Sequence, residues 1–248
     1  MSMHELTIGR TSMNRQSIRQ RRRQRQSFGD DHRRFASKPA ATLCANRLDD
    51  LMNSGFVVID GALPPSICAH IRQELQIFFE RVPMQAPTDT HKHNIRSDQM
   101  TGSNEEEMKE FNYVGVAKAI NLLKGVAHEL ATVHEPTLRV APNAQIARFP
   151  GEGTHYKRHA DNLFNDDGSW NNWRIFTVIL YCNDAWQPSH GGCLRMYDGH
   201  EQTDIEPLAG RIVIFMSALQ HEVLPTWHER FAITLWTWRV DDDGRKFS

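Results

Sequence analysis

The stretch ERFAITLWTW, Glu229 to Trp238, alternates along its length. Successive side chains of an extended chain leave opposite faces. Arg230, Ala232, Thr234, Trp236 and Trp238 therefore share one face, and Phe231, Ile233 and Leu235 share the other. The second face is apolar and suited to a core. The first carries a guanidinium at its head with a threonine behind it, which is expensive to bury without an anion. A carboxylate would satisfy it through a forked, charge-assisted contact worth roughly 1.5–3 kcal/mol.

The same period runs upstream as far as Val140. NAQIARF, RIFTVILY, CLRMY and RIVIFM are short β-branched and aromatic runs punctuated by Gly, Pro, Asn and Asp. Before them the period is helical. TLCANRLDDLMNSG places Leu43, Leu48 and Leu51 on one side and stops at Gly55. FVVID, Phe56 to Asp60, reads as a buried strand. PPSICAHIRQELQIFFERV opens on prolines and repeats apolar residues at Ile67, Ile71, Leu75 and Phe78 or Phe79. Pro83 to Glu107 reads as one long polar loop containing IRSDQM, and EFNYVGVAKAINLLKGVAHELATV as a third helix. The acidic run Glu105 to Glu107 suits a helix N-terminus, where it complements the dipole. Helices and a strand followed by many short strands predict a β-sandwich or barrel with helices against one sheet.

The 248 residues suffice for a sizeable core. The net charge of −1 hides an asymmetry: Met1 to Arg47 holds 11 basic and 3 acidic residues, a net +8, so the remainder carries −9. RQSIRQRRRQRQSF is rich in Arg and Gln and almost without apolar residues, the composition of a solvated, disordered tail. A nuclear-import or nucleic-acid patch and an Arg-rich transit peptide are the competing readings. The four cysteines form no CxxC pair, which points to free thiols in a reducing compartment. No run of about 18 apolar residues is present to span a membrane, and the N-terminus lacks the order of a secretory signal.

GTHYKRHADN, Gly153 to Asn162, sets His159 and Asp161 two residues apart, pointing together in an extended chain. RIVIFMSALQHEVLP places His221 just past a strong strand. Two histidines and one carboxylate can form a facial triad with open positions, which suits non-haem Fe(II). Catalytic zinc also commonly holds three protein ligands, so the donors alone leave the metal open. Tyr181, on the face of RIFTVILY shared with Thr177 and Ile179, is placed to donate to the carboxylate that Arg230 would hold.

YKRHADN, GGCLRMY, DIEPLAGRIVIFMS, HEVLP and RFAITLWTW, in this order and spacing, resemble the catalytic domains of the hypoxia-inducible-factor prolyl hydroxylases, which are 2-oxoglutarate- and Fe(II)-dependent dioxygenases. The resemblance runs from about Leu48 to Val240. It implies a double-stranded β-helix (jelly-roll) core buttressed by N-terminal helices, occupying residues 40–241 between a basic tail (1–39) and a short C-terminal tail (242–248). It also implies iron held by His159, Asp161 and His221. Arg230, Tyr181 and Thr234 would grip the far carboxylate of 2-oxoglutarate, with Leu194 lining its pocket. Arg96 and Asp98 match a loop that closes over the peptide, Arg174 matches the partner of that aspartate, and Trp236 lines the floor under the target proline. Two departures stand out. Phe149 in RFPGEG replaces a tyrosine usual in the family, and Thr101 and Gly102 stand where an aromatic often follows the loop motif.

The expected activity is hydroxylation of a prolyl residue at C4 in a protein substrate. Fe(II), 2-oxoglutarate and O₂ would take part and ascorbate would serve as reductant, in oxygen sensing or another role. The alternatives are a dioxygenase acting on another residue or a small molecule, and an inactive β-helix binding module. The expected partner is a proline-containing protein rather than a membrane or a nucleic acid. The expected state is a monomer in the cytoplasm or nucleus, with organelle targeting by the basic N-terminus as a further reading.

Overall fold

The computed structural model describes residues 47–82, 95–135, 137–164, 170–171 and 174–240. Internal contacts divide the chain after Pro39, and all described residues belong to the second unit. The basic tail, Leu43, Cys44 and residues 242–248 lie outside the described residues.

The chain starts with α1 (Leu48–Ser54), which ends on Gly55 at φ +78° with its N–H returned to the Leu51 carbonyl. Glycine takes this left-handed conformation without a Cβ penalty. Strand β1 (Phe56–Ile59) follows, then α2 (Pro65–Arg81), whose proline start and buried Ile67, Ile71, Leu75, Phe78 and Phe79 match the spacing in the sequence. The expected long loop is only partly a loop. Among its described residues Gln99–Ser103 form β2, paired with the strand Ala144–Phe149, and Glu105–Glu110 form the short helix α3. Asn104 and Glu107 close a reciprocal capping box at its start.

The expected third helix is also shorter than its apolar pattern. The backbone breaks at Asn112, φ +63°, and restarts as α4 (Val114–His134). Asn tolerates this conformation, and the new helix is tied at its start by Glu74 of α2, which accepts from the Val116 N–H at 2.9 Å.

Among the described residues eleven strands follow α4, the first ten being β3 (Leu138–Val140), β4 (Ala144–Phe149), β5 (Thr154–His159), β6 (Leu163–Phe164), β7 (Trp170–Asn171), β8 (Arg174–Tyr181), β9 (Leu194–Asp198), β10 (Glu201–Ile205), β11 (Ile212–Met216) and β12 (Gln220–Thr226). The chain of strands ends with β13 (Arg230–Arg239). The larger sheet runs β1-β11-β8-β13-β4-β2, with β3 pairing the far half of the β13 edge that β4 pairs near Arg230. The smaller sheet runs β10-β9-β12-β5, and β6 and β7 form a separate ribbon.

The alternation in β13 sorts its two faces as the sequence predicts. Phe231, Ile233 and Leu235 are at most 1% exposed, and the Phe231 ring meets Phe79 of α2 at 5.9 Å. Helix α4 packs along β13 and β8. On the inner side, Phe149, Tyr181 and Phe215 of the larger sheet share one apolar cluster with Leu194, Met196 and Val223 of the smaller. Burying each such side chain is worth about 1.5–3 kcal/mol. The architecture is the expected double-stranded β-helix buttressed by helices. No helix among the described residues is long and apolar enough to cross a membrane. Cys68, Cys182 and Cys193 are free thiols.

Candidate active site

His159 is the last residue of β5, and its register partner across the smaller sheet is His221. His221 follows the strand β11, as the sequence suggested, and itself lies within β12, whose alternation in QHEVLPT is hidden by Glu222 and Pro225. Asp161 sits in the bend two residues beyond β5. Strand pairing and one tight bend thus bring three donors from two chain segments together. One donor atom from each lies within 4.8 Å of the others. The His159 and His221 Nε2 atoms stand 3.8 and 3.9 Å from the Asp161 oxygens.

The ring orientations are set from behind. His159 Nδ1 bonds the Lys157 carbonyl at 2.7 Å and His221 Nδ1 the Leu219 carbonyl at 2.9 Å. Each Nδ1 therefore carries the proton and each Nε2 presents its lone pair inward, as metal ligation requires. Tyr156 stacks on His159 at 3.7 Å and Phe215 meets the His221 ring at 4.6 Å. Burial, and then the neighbouring His221, push the His159 imidazole down to about 4, so it is neutral at neutral pH. Burial alone would raise the Asp161 carboxyl. The His221 and His159 imidazoles, with the Trp236 and Thr177 donors, more than offset this and hold it below its ordinary value.

Arg230 lies at the start of β13 and is 1% exposed. Its Nη2 donates to the Tyr181 hydroxyl at 3.3 Å, while Nε and Nη1 have no partner. The guanidinium carbon sits 4.7 Å from the Phe149 ring and 5.0 Å from the Tyr181 ring. Burial lowers the pKa of Arg230 and raises that of Tyr181. A buried cation with two N–H groups unmatched is costly, and an anionic oxygen pair meets both. Arg230 and the three clustered donors line one cleft, together with Leu194, Thr234 and Trp236. The residues present therefore fit both a divalent cation and, at a distance from it, a carboxylate.

Arg96 and Asp98 reach the same cleft. The expected Asp98–Arg174 pair does not form. Asp98 is bound bidentately by Arg96, Nε–Oδ1 2.7 Å and Nη2–Oδ2 2.6 Å. Arg174 instead stacks 4.2 Å from the Trp236 ring and donates to the Asp161 carbonyl at 3.4 Å. A charge fork two residues away satisfies Asp98, and Arg174 is held by an indole face and a peptide oxygen. Sequence reasoning missed Tyr156, which links Arg96 (4.3 Å from its ring) to His159. Thr177, named only as a neighbour of Tyr181, donates to Asp161 Oδ2 at 2.8 Å. Its place on the inner face of β8 was readable from alternation; its partner was not.

Residues 144–238 match the 2OG-Fe(II) oxygenase superfamily. The chain is 31% identical over 195 residues to the hypoxia-inducible factor prolyl hydroxylase of Caenorhabditis elegans, covering 73% of this chain and 26% of that protein. It is 32% identical over 158 residues to prolyl hydroxylase EGLN3 of Mus musculus, covering 61% and 62%. The chain thus spans about a quarter of the first relative and less than two thirds of the second. A crystal structure of a Pseudomonas putida prolyl-4-hydroxylase superposes with a TM-score of 0.66 at 27% identity, covering 79% of this chain and 98% of that one. The alternating strands and the cleft between them are accordingly a 2OG-Fe(II) oxygenase domain, homologous to the hypoxia-inducible factor prolyl hydroxylases.

Proposed function

We propose that this chain is an Fe(II)- and 2-oxoglutarate-dependent dioxygenase that hydroxylates a prolyl residue, at C4, in a protein substrate. The observation that carries the reading is the unmatched pair of Arg230 N–H groups in the cleft that also gathers His159, Asp161 and His221. Oxygen sensing fits the relatives' names and remains part of the proposal, as does ascorbate as the reductant.

Fe(II), when bound, supplies the activation of O₂ that couples oxidation of 2-oxoglutarate to succinate and CO₂ with insertion of one oxygen atom into a C–H bond. His159, Asp161 and His221 would hold it through two neutral imidazoles and one carboxylate, leaving positions open for cosubstrates. Arg230 and Tyr181 bind the distal carboxylate and so orient the keto acid. Phe149, Ile179, Leu194 and Val223 wall the cleft and exclude water. Trp236 is hydrogen-bonded to Asp161, so an aromatic surface lies beside the metal ligand. Arg96, Asp98 and Trp236 form the cleft's remaining rim and floor, where a peptide would lie.

The test uses the purified full chain with Fe(II), 2-oxoglutarate, O₂ and ascorbate against a library of proline-containing peptides. Succinate should form only when Fe(II) and 2-oxoglutarate are both present, and mass spectrometry should find a one-oxygen gain on proline. An oxygen gain only on other residues would replace the prolyl assignment. Succinate formation unaltered in both His159→Ala and Arg230→Ala would end the reading.

A further inference from the structure

Arg230 has one hydrogen bond of its own, at 3.3 Å, so its aim depends on where the backbone of β13 starts. One side chain from a helix on the opposite face of the sheet reaches both residues that flank it, Glu229 directly and Phe231 at its ring and through Asn183. Arg72 of α2 donates from Nη2 to the Glu229 carbonyl at 3.1 Å and to Glu229 Oε2 at 3.4 Å. Its Nη1 donates to Asn183 Oδ1 at 3.1 Å, its Nε faces Asp184 Oδ1 at 3.3 Å, and its guanidinium lies 5.2 Å from the Phe231 ring. Asn183 passes the contact on: Oδ1 accepts from the Phe231 N–H at 2.7 Å and Nδ2 donates to the Phe231 carbonyl at 3.0 Å. Glu229 is secured further by Gln76 at 2.7 Å and Arg148 at 2.8 Å.

Residues 229 and 231 are thus both clamped, and residue 230 between them points the other way, into the cleft. Resting on the function proposed above, we propose that Arg72 is a positioning residue for the dicarboxylate cosubstrate. It fixes the start of β13 so that the Arg230 fork meets the distal carboxylate, and it touches neither metal nor substrate. All three of its guanidinium nitrogens have acceptors, a planar arrangement that lysine cannot reproduce. A helix that elsewhere serves packing therefore sets cosubstrate affinity. The dependence is selective because His159 and His221 sit on β5 and β12 of the other sheet and Asp161 in the bend past β5.

The experiment compares wild type, Arg72→Lys and Arg72→Gln as full chains, titrated calorimetrically with Mn(II) and then, Mn(II)-loaded and without O₂, with 2-oxoglutarate. Arg72→Gln should bind 2-oxoglutarate about tenfold more weakly and raise its KM by about the same factor, leaving Mn(II) affinity, kcat and peptide KM within about twofold of wild type. Arg72→Lys should fall between. Cosubstrate affinity unchanged in Arg72→Gln would overturn the proposal, as would a parallel loss of Mn(II) affinity, the mark of a general loosening. If Arg72→Gln does not fold, Glu229→Gln, which weakens one arm of the clamp, should give the same selective loss to a smaller degree; no loss there would overturn it equally. Wild type that binds Mn(II) and takes up no 2-oxoglutarate would refute the cosubstrate reading of Arg230 itself. That failure is distinct from an intact wild type with an indifferent Arg72.

Discussion

Trp236 donates its indole N–H to Oδ2 of Asp161 at 3.0 Å, and Thr177 donates to the same oxygen at 2.8 Å. Thr177 is in turn bonded to Ser217 at 2.9 Å. Two donors on Oδ2 leave Oδ1 as the oxygen best placed to meet a cation. They also fix the carboxylate plane before any ligand arrives. The tryptophan that the family resemblance places under the substrate is therefore also a hydrogen-bond partner of the candidate metal carboxylate.

Trp236→Phe keeps an aromatic floor and removes the donor. Loss of such an outer partner typically costs about 10–100-fold in metal affinity or activity. The expected result is a fall of that order in Mn(II) or Co(II) affinity by titration. Thr177→Val should act in the same direction. Metal affinity at the wild-type level in both variants would show that Asp161 is oriented by its backbone alone.

Arg230→Met should separate stability from function. The native side chain buries a cation with two unmatched N–H groups, and apolar replacement of buried charge is often neutral or stabilising by about 1–4 kcal/mol. Contacts with the Phe149 and Tyr181 rings return roughly 1 kcal/mol of that to the native arginine. The variant should therefore melt, without ligand, at or above the wild-type temperature, and lose the upward shift that 2-oxoglutarate gives the wild type. A large drop in ligand-free stability would mean that Arg230 is structural.

How much of this was legible beforehand follows the strength of each local pattern. β13 was readable because strict alternation and the absence of Gly or Pro leave one register that buries Phe231, Ile233 and Leu235. That same register delivers Arg230, Thr234 and Trp236 to the cleft. β10 was not readable, because EQTDI at the sheet edge keeps four of its five residues exposed and carries no apolar face. β2 was hidden in the same way, within a polar stretch that borrows its regularity from β4. Arg72 stood in plain view on α2, yet its acceptors come from segments more than a hundred residues away in the chain. Such a contact leaves no periodic trace. The pairing of Asp98 with Arg174 failed as an expectation for the opposite reason: Arg96, two residues away, outcompeted a partner on another strand.

That buried neighbour pair makes a third prediction. Side chains of Arg96 and Asp98 are 8% and 0% exposed, and removing one member of a buried pair leaves an uncompensated charge worth about 3–5 kcal/mol of stability. Asp98→Asn should lower stability in urea by an amount of that order. Arg96→Met combined with Asp98→Asn should recover much of it. The expected double-mutant coupling is thus well over the ~1 kcal/mol of an exposed pair. A double variant as unstable as the single one would assign the loss to something other than the orphaned charge, such as the stack of Arg96 on Tyr156.

Gly192 supplies the last prediction. It adopts φ +67°, where a Cβ is strained, and a Cβ there would stand 2.9 Å from Thr226 Cβ and 3.2 Å from Arg230 Cδ. Its N–H is committed to the Pro225 carbonyl at 2.9 Å, so the backbone has no easy retreat. Thr226 is itself anchored, its hydroxyl donating to the His228 carbonyl at 2.8 Å. The least constrained of the three is the Arg230 stem, whose guanidinium has a single long hydrogen bond. Gly192→Ala should therefore cost about 1–3 kcal/mol in backbone strain and push Arg230 off its line. 2-Oxoglutarate affinity would fall while Mn(II) affinity stays near wild type, since His159, Asp161 and His221 do not touch this turn. Gly199→Ala is the matched control: its φ is +59° and a Cβ there meets nothing within 4 Å. It should show the strain without the loss of cosubstrate. Equal cosubstrate affinity in the two variants would mean that close packing at Gly192 has no part in aiming the arginine.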